Sequence, residues 1–442
     1  MSLFSSLGKM SVRKKQCSPS SEALKYFMRK IAIECHNLEN QRWGIGRHLS
    51  KILEEISKKP ELQKEFRFYL YFKSFAPNDP YLNNPIFTKR VLKIPFLRPS
   101  YNIFFHILLP LAYIRDRIDV AFFPGFMLPL FFFGKSLVVL TNDIYYEYKT
   151  GNLPLRYRIG YRLFSNWAAK RATKITTYTK SAKKEVARLF KIPLERIIVN
   201  YLGVQAPQIH PFRYIRPIPA TGLARRSPEL REELKKHHTP PDLANLELTA
   251  TSKTISAELV GKDYLVYVGQ AFPRRRAKET IRAFEILAPK FPDLKLILVG
   301  QDKYNPPILK KLAKEINERL GEIKVMHYDY IDSDEELKSL ISGAKLFIYL
   351  STSEAMGLPP LEALSMGTPP LVKDNDLNRE IYEGNAFYVA DETDPEKIAL
   401  AIERALNNKE KKKEIIENAQ RVVSKFSWQN HTEKLLQILR KI

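Results

Sequence analysis

Short apolar runs alternate with helix-patterned stretches through both halves of this chain, and that alternation admits few folds. In the first half the expected strands are Ile31–Glu34, Phe66–Phe72, Val120–Phe123, Leu137–Leu140, Lys174–Thr177 and Ile197–Asn200, with helices at Arg47–Ile56 and Ser181–Phe190. In the second half they are Tyr264–Val268, Leu294–Val299, Lys324–His327, Leu346–Tyr349, Pro370–Val372 and Phe387–Val389. Helices are expected there at Lys278–Leu287, Pro307–Leu320, Asp334–Ser342, Pro360–Ser365 and Pro395–Asn407. Strands of this kind, separated by helices, build parallel, doubly wound α/β sheets covered on both faces. The pattern breaks over 206–260, which holds seven prolines, a charged stretch (RRSPELREELKKHH) and a Ser/Thr-rich run, with one short helix expected at Glu229–His237. A chain of 442 residues is too long for one ordinary core. The break is therefore read as a linker between domains at 29–205 and 261–425, with a mobile basic tail at 1–28. Such domains bind ligands at the carboxyl ends of their strands, so a cleft between them is the expected site.

The formal charge is +24, and it is uneven. Residues 1–205 carry 35 Lys and Arg against 14 Asp and Glu, an excess of 21; residues 206–442 carry 37 against 34, an excess of 3. The first half suits an acidic partner: anionic lipid headgroups, a phosphorylated acceptor or nucleic acid. The alternative is a charge that serves solubility alone. No motif with interleaved aromatics supports nucleic acid, which is not an expected partner. No run reaches the roughly 18 apolar residues of a spanning helix. The segments PSYNIFFHILLP and FFPGFMLPLFFFG read either as a face toward an anionic membrane or as core strands and a buried helix. The N-terminus is basic but has no apolar stretch, so it does not read as a secretory signal, and two cysteines, Cys17 and Cys35, suit a reducing compartment. The expected location is cytoplasmic, with peripheral contact at the inner membrane face.

The segment richest in chemistry is Leu350–Pro370, LSTSEAMGLPPLEALSMGTPP. Seven residues separate Glu354 from Glu362, with Gly357, Leu358 and Pro359 between them. The segment follows a strand and runs into a helix with Pro360 in its first turn, a place that tolerates a missing N–H. Glu354 is expected on the loop and Glu362 within that first turn. Free amides at a helix start attract an anion. A carboxylate beside them can accept two hydrogen bonds from the vicinal diol of a ribose or hexose. Together they describe a nucleoside diphosphate sugar; an acid-capped helix is the plainer reading of the same residues. Asp374-Asn375-Asp376 has the D-x-D form of a cation site but follows a late strand and is not read as one. The eight histidines show no metal-ligand spacing beyond the adjacent His237 and His238, so no metal site is expected.

The segment resembles the E-x7-E signature of retaining glycosyltransferase family 4, and the resemblance extends over nearly the whole chain from about Lys30. KIAIECHNLENQRWGIGRHLSKI looks like that family's first strand, glycine loop and first helix. Asp119–Tyr146 is similar to its middle strands and His-Asp turn, and Lys174–Val204 to the last strands of its acceptor domain. YLVYVGQAFPRRRAKETIRAF looks like the opening of its donor domain, and Phe426-Ser427-Trp428 like the start of its terminal helix. The resemblance implies a GT-B fold: two Rossmann-like domains facing across a cleft, with the helix at 426–442 crossing back to the first. It implies that Glu354 contacts donor-sugar hydroxyls and Glu362 the ribose. The Gly357-Leu358-Pro359 turn, through the amides of Gly357 and Leu358, would hold the diphosphate or sugar. Arg274 and Arg275, where Arg-Lys is commoner, would neutralise the diphosphate. Gly44 and Gly46 match the glycine loop that faces the donor phosphate, and Asn142 and Asp143 match the turn near the reacting sugar.

Three positions depart from the family pattern: Asn142 for its His, Gln270 for its Arg, and Met356 for its aromatic. Asn142 can hydrogen-bond a hydroxyl but cannot titrate. The implied reaction moves a hexose from a nucleoside diphosphate sugar to an acceptor hydroxyl, on a glycan or lipid-linked glycan, with retention. The departing phosphate takes the acceptor's proton, and Asp143 is the first candidate should a protein base act. The nucleotide sugar is a substrate; no cofactor or metal is expected. Two other readings stay open: a nucleotide-sugar epimerase or disaccharide phosphorylase of similar fold, and a non-catalytic basic binding protein on a transferase scaffold.

Overall fold

The structure, a computed structural model, describes residues 28–39, 44–93, 100–150, 154–204, 262–331 and 333–442. The tail at 1–28, Met28 apart, and the linker at 206–260 with its helix at Glu229–His237 lie outside the described residues.

Two parallel sheets form. The first has seven strands: β1 (Arg29–Glu34), β2 (Phe66–Phe72), β3 (Phe87–Val91), β4 (Val120–Phe123), β5 (Lys135–Val139), β6 (Lys174–Thr177) and β7 (Ile197–Val199). Their order across the sheet is β3-β2-β1-β4-β5-β6-β7. The second has six: β8 (Tyr264–Val268), β9 (Lys295–Val299), β10 (Val325–Tyr328), β11 (Leu346–Tyr349), β12 (Pro370–Lys373) and β13 (Phe387–Val389). Their order is β10-β9-β8-β11-β12-β13. Each sheet begins in its middle, runs to one edge, then restarts on the other side of its first strand, which is the doubly wound Rossmann arrangement. Strands beside the first strand of each sheet can be wholly apolar because helices cover both faces. VAFF of β4 and LFIY of β11 are buried at every position. Parallel register puts Ile31 opposite Phe68 and Val266 opposite Ile297.

By contacts, the described residues divide into two compact units. One runs to Phe122 and includes Phe131–Gly134; the other comprises Phe123–Leu130 and everything from Lys135 onward. Within the second unit the terminal helix, Trp428–Lys441, returns to the end of β7. Val204 bridges Ser427, and the Asn200 amide donates to the His431 carbonyl at 3.2 Å. The approach is close enough that a Cβ on Gly203 would lie 2.3 Å from the Trp428 nitrogen, so only glycine fits. His431 sits with Nδ1 at 2.8 Å from the Tyr201 carbonyl, and burial pushes its pKa down to about 4.

Two elements differ from sequence expectation. β3, FTKRV, lies at the sheet edge; of its residues only Phe87 is buried, and Lys89 and Val91 are exposed. The helix Leu155–Arg171 buries only small residues, Ser165, Ala168 and Ala169, so its large apolar side chains never mark an inward face. The segment 101–116 is helical with a π turn at Phe104–Leu108. It buries Phe104, Phe105, Leu109 and Tyr113 and exposes Ile107, Leu111 and Ile114. Among the described residues no helix is long and apolar enough to cross a membrane.

Candidate active site

The carboxyl end of β11 feeds directly into the acidic segment. Tyr349 ends the strand, Ser351 and Glu354 follow on the loop, and Gly357 caps the helix Leu358–Ser365. Gly357 has φ 75°, a left-handed conformation that an L side chain resists; a Cβ there would meet only Glu354 at an ordinary 3.9 Å, so the conformation alone requires glycine. The helix begins two residues before Pro360. Glu362 therefore stands in the second turn, a correction to its expected place in the first. Pro359 and Pro360 carry no N–H, so the backbone donors at this helix start come from Gly357 and Leu358.

Three donors converge on one oxygen of Glu354. Arg275 Nε reaches Oε1 at 2.8 Å, and the hydroxyls of Tyr349 and Ser351 at 3.0 Å each. Burial alone would push this carboxyl up. The Arg275 guanidinium, with Arg274 and Ser351 adding to it, outweighs burial and holds Glu354 below the usual carboxylate range. Arg275 is fixed in turn: it donates to the Gln270 carbonyl at 2.9 Å and lies over the Tyr349 ring at 5.2 Å. Tyr267, at the end of β8, stacks on Tyr349 at 5.9 Å and donates to the same Gln270 carbonyl. Arg274 lies over Phe272 at 4.5 Å, with Nε 3.3 Å from the Ser353 carbonyl. The two β strands thus end in a pair of stacked tyrosines that carry an ion pair between residues 79 positions apart.

Asn142 and Asp143 open the helix Asn142–Thr150 in the same unit. The Asn142 amide donates to Glu185 at 2.6 Å, and Glu185 also takes the Tyr146 hydroxyl, so the Asn142 side chain is oriented by its neighbours. Asp143 lies within electrostatic reach of both Glu354 and Arg274; burial is the main force that raises its pKa. Asn142 Oδ1 and Asp143 Oδ1 are buried and accept no hydrogen bond among the described residues. Met356 is buried, and its sulfur accepts from the Leu202 N–H at 3.2 Å, which ties the acidic loop to the end of the first sheet.

The structure therefore gathers Arg274, Arg275, Glu354, Gly357, Asn142 and Asp143 into one unit. Gly44 and Gly46 belong to the other, at the head of the helix Ile45–Ser57, where Gly44 takes φ 59°. Sequence reasoning missed Tyr349 and Ser351, although both flank Glu354 in the chain. It also missed Glu34 at the end of β1 in the first unit. That carboxylate is buried, accepts from the His36 N–H at 2.8 Å, and is pushed up to about 7 by burial, with Glu39 adding to the rise. The D-x-D triplet is structural: Asp374 takes two bonds from Arg379 at 2.7 Å, and Asn375 caps the helix Asp376–Tyr382. Among the described residues no group of three or more His, Cys, Asp or Glu side chains could hold a metal ion.

Two sheets with one switch-point order, and a returning terminal helix, are the GT-B architecture. Solved structures agree. A glycosyltransferase from Rickettsia africae superposes with TM-score 0.60 at 16% identity, covering 94% of this chain and 99% of its own. Anabaena HepE, solved with UDP and glucose, superposes with TM-score 0.62 at 15% identity, covering 94% and 100%. At such identities the likeness shows the fold alone.

Residues 250–422 match the model for glycosyl transferases group 1. The Escherichia coli O-antigen chain mannosyltransferase B is 27% identical over 266 residues, and the D-inositol 3-phosphate glycosyltransferase of Corynebacterium urealyticum 24% identical over 191. The matches span 59% and 44% of those relatives' lengths.

Proposed function

We propose that the chain transfers a hexose from a nucleoside diphosphate sugar to an acceptor hydroxyl, with retention at the anomeric carbon. The observation that carries this reading is a largely buried Glu354 kept ionised by Arg275, one turn of chain before a glycine-capped helix. An ionised carboxylate accepts hydrogen bonds from sugar hydroxyls, and its burial strengthens them. In this reading Glu362 takes the ribose diol. Arg274, Arg275 and the amides of Gly357 and Leu358 offset the charge gained by the leaving diphosphate, so no metal is required for that task. Asn142 Oδ1 and Asp143 Oδ1 are acceptors left for hydroxyls near the reacting carbon. The departing phosphate accepts the acceptor's proton on the same face. A mannose-carrying donor is the first choice, because the Escherichia coli relatives are mannosyltransferases. The acceptor is a glycan or lipid-linked glycan, met from the cytoplasmic side.

The test is a thermal-shift panel of GDP-, UDP- and ADP-linked hexoses on wild type and on Glu362→Ala. One donor is expected to raise the wild-type midpoint, by about 2.7 kcal/mol of stabilisation at a hundredfold excess over Kd. Glu362→Ala should lose most of that rise. Equal shifts in the two proteins would remove Glu362 from the ribose. Adding candidate acceptors then separates transfer, which releases nucleotide and forms a new glycoside, from epimerisation or phosphorolysis.

A further inference from the structure

The helix Leu155–Arg171 inverts the usual rule for a surface helix. Its inward contacts are Ser165, Ala168 and Ala169. Its large aliphatic residues point out: Leu155 is 69% exposed and Leu163 62%, with Ile159 half-exposed between them. Spacing of four residues puts these three on one stripe. Against water, three exposed aliphatics in register are an unfavourable arrangement, since each leaves apolar area hydrated. Exposed Arg156 and Arg162 interleave with the stripe. The surrounding chain is strongly basic: residues 154–200 carry 12 Lys and Arg and two Glu. Arg158 is committed elsewhere, donating to the carbonyls of Tyr148 and Lys149 that end the preceding helix. That clamp, and the Phe126–Tyr161 ring contact at 4.8 Å, fix the helix so that the stripe cannot turn inward.

We propose that this stripe is a docking face for an anionic lipid bilayer, the helix lying in the headgroup plane with Leu155, Ile159 and Leu163 in the acyl boundary. Aliphatic side chains flanked by arginines match both layers of such a surface, apolar below and phosphate above. A protein partner would match the aliphatics but has no general reason to meet a twelve-to-two basic excess. The other unit independently exposes apolar side chains of its own. Ile107, Leu111 and Ile114 form an exposed stripe, with Ile114 at 73%. Phe132 packs on Tyr113 at 5.5 Å and so pins the loop that exposes Phe131 and Phe133. The inference deepens the acceptor reading above, since a bilayer-held enzyme meets lipid-linked acceptors at their own surface.

The experiment is vesicle flotation of the full chain, without donor, using phosphatidylcholine with and without phosphatidylglycerol. Wild type should float with the anionic vesicles only. The triple variant Leu155→Gln, Ile159→Gln, Leu163→Gln should float about tenfold less, because three inserted aliphatics are lost. Its donor-induced thermal shift should stay at the wild-type value, which shows the fold and donor site intact. Wild type remaining at the bottom with both vesicles would overturn the proposal. So would equal flotation of the variant, or flotation that high salt abolishes in both proteins alike, which would assign binding to charge alone. A triple variant that changes only the oligomeric state would assign the stripe to a protein contact. Because flotation uses no donor, it can fail while the thermal-shift test succeeds, and the reverse.

Discussion

In each sheet a carboxylate follows the carboxyl end of a central strand, Glu34 buried and Glu354 largely so, and the two are treated in opposite ways. Glu34 ends β1 with a backbone N–H for company and a second acid, Glu39, nearby; burial pushes it up to about 7. Glu354 follows β11 with a guanidinium and two hydroxyls on one oxygen and is held below the usual range. Desolvation acts on both. What differs is whether the surroundings supply a positive charge, and that decides which carboxylate is fit to accept hydrogen bonds from a ligand near neutral pH. The charge at Glu354 is retained by construction, since Arg275 is itself fixed by Gln270 and Tyr349.

The largest effect should come from making Glu354 resemble Glu34. Arg275→Met keeps the stem and removes the charge, leaving a buried carboxylate uncompensated. The expected loss is about 3–5 kcal/mol at pH 7 in chemical denaturation. In the variant the folded pKa of Glu354 rises above its unfolded value, so the penalty is present above that unfolded value and fades below it. The gap to wild type should therefore narrow at acid pH. A gap that stays constant with pH would show that Arg275 acts through packing. Adding Glu354→Gln should recover much of the loss, because neither charge is then stranded.

The converse change acts on Glu34. Its folded pKa, about 7 against an ordinary 4.5, means that the folded state holds an extra proton between those values. Stability from this group is therefore fully present below 4.5 and is lost as pH rises toward 7. Glu34→Gln keeps an acceptor for the His36 N–H and never ionises. It should be more stable than wild type by about 2–3 kcal/mol at pH 8 and little changed at pH 4. Denaturant midpoints at the two pH values decide it; a variant equally stable or weaker at pH 8 would mean that Glu34 ionises without penalty.

The contrast also marks what a sequence can reveal. Strands such as Val120–Phe123 and Leu346–Tyr349 were legible because unbroken apolar runs have one stable use, the inside of a parallel sheet. β3 was not, because an edge strand buries only Phe87 and its Lys89 and Arg90 read as loop. The helix Leu155–Arg171 was hidden for a different reason: an outward apolar stripe and an inward row of alanines give no single hydrophobic face. At the site, Glu354, Glu362 and the bend between them could be read from local spacing. The Arg275–Glu354 pair could not, since 79 residues separate its members and no local pattern encodes which arginine of three reaches the acid. Glu34 was invisible because its property is an absence of positive charge nearby, which only packing determines.

The smallest of these effects tests how the positive environment is shared. Tyr349→Phe leaves the ring that stacks on Tyr267 and carries Arg275, and removes one of the three donors to Glu354 Oε1. With Arg275 and Ser351 still in place, the carboxylate stays ionised. The expected cost is about 1 kcal/mol, near the net value of one hydrogen bond. It should appear as a lower denaturant midpoint with unchanged slope, and the donor-induced thermal shift should persist. A loss as large as that of Arg275→Met would move the weight from the guanidinium to the phenol. The two carboxylates would then differ by hydrogen bonding and not by charge.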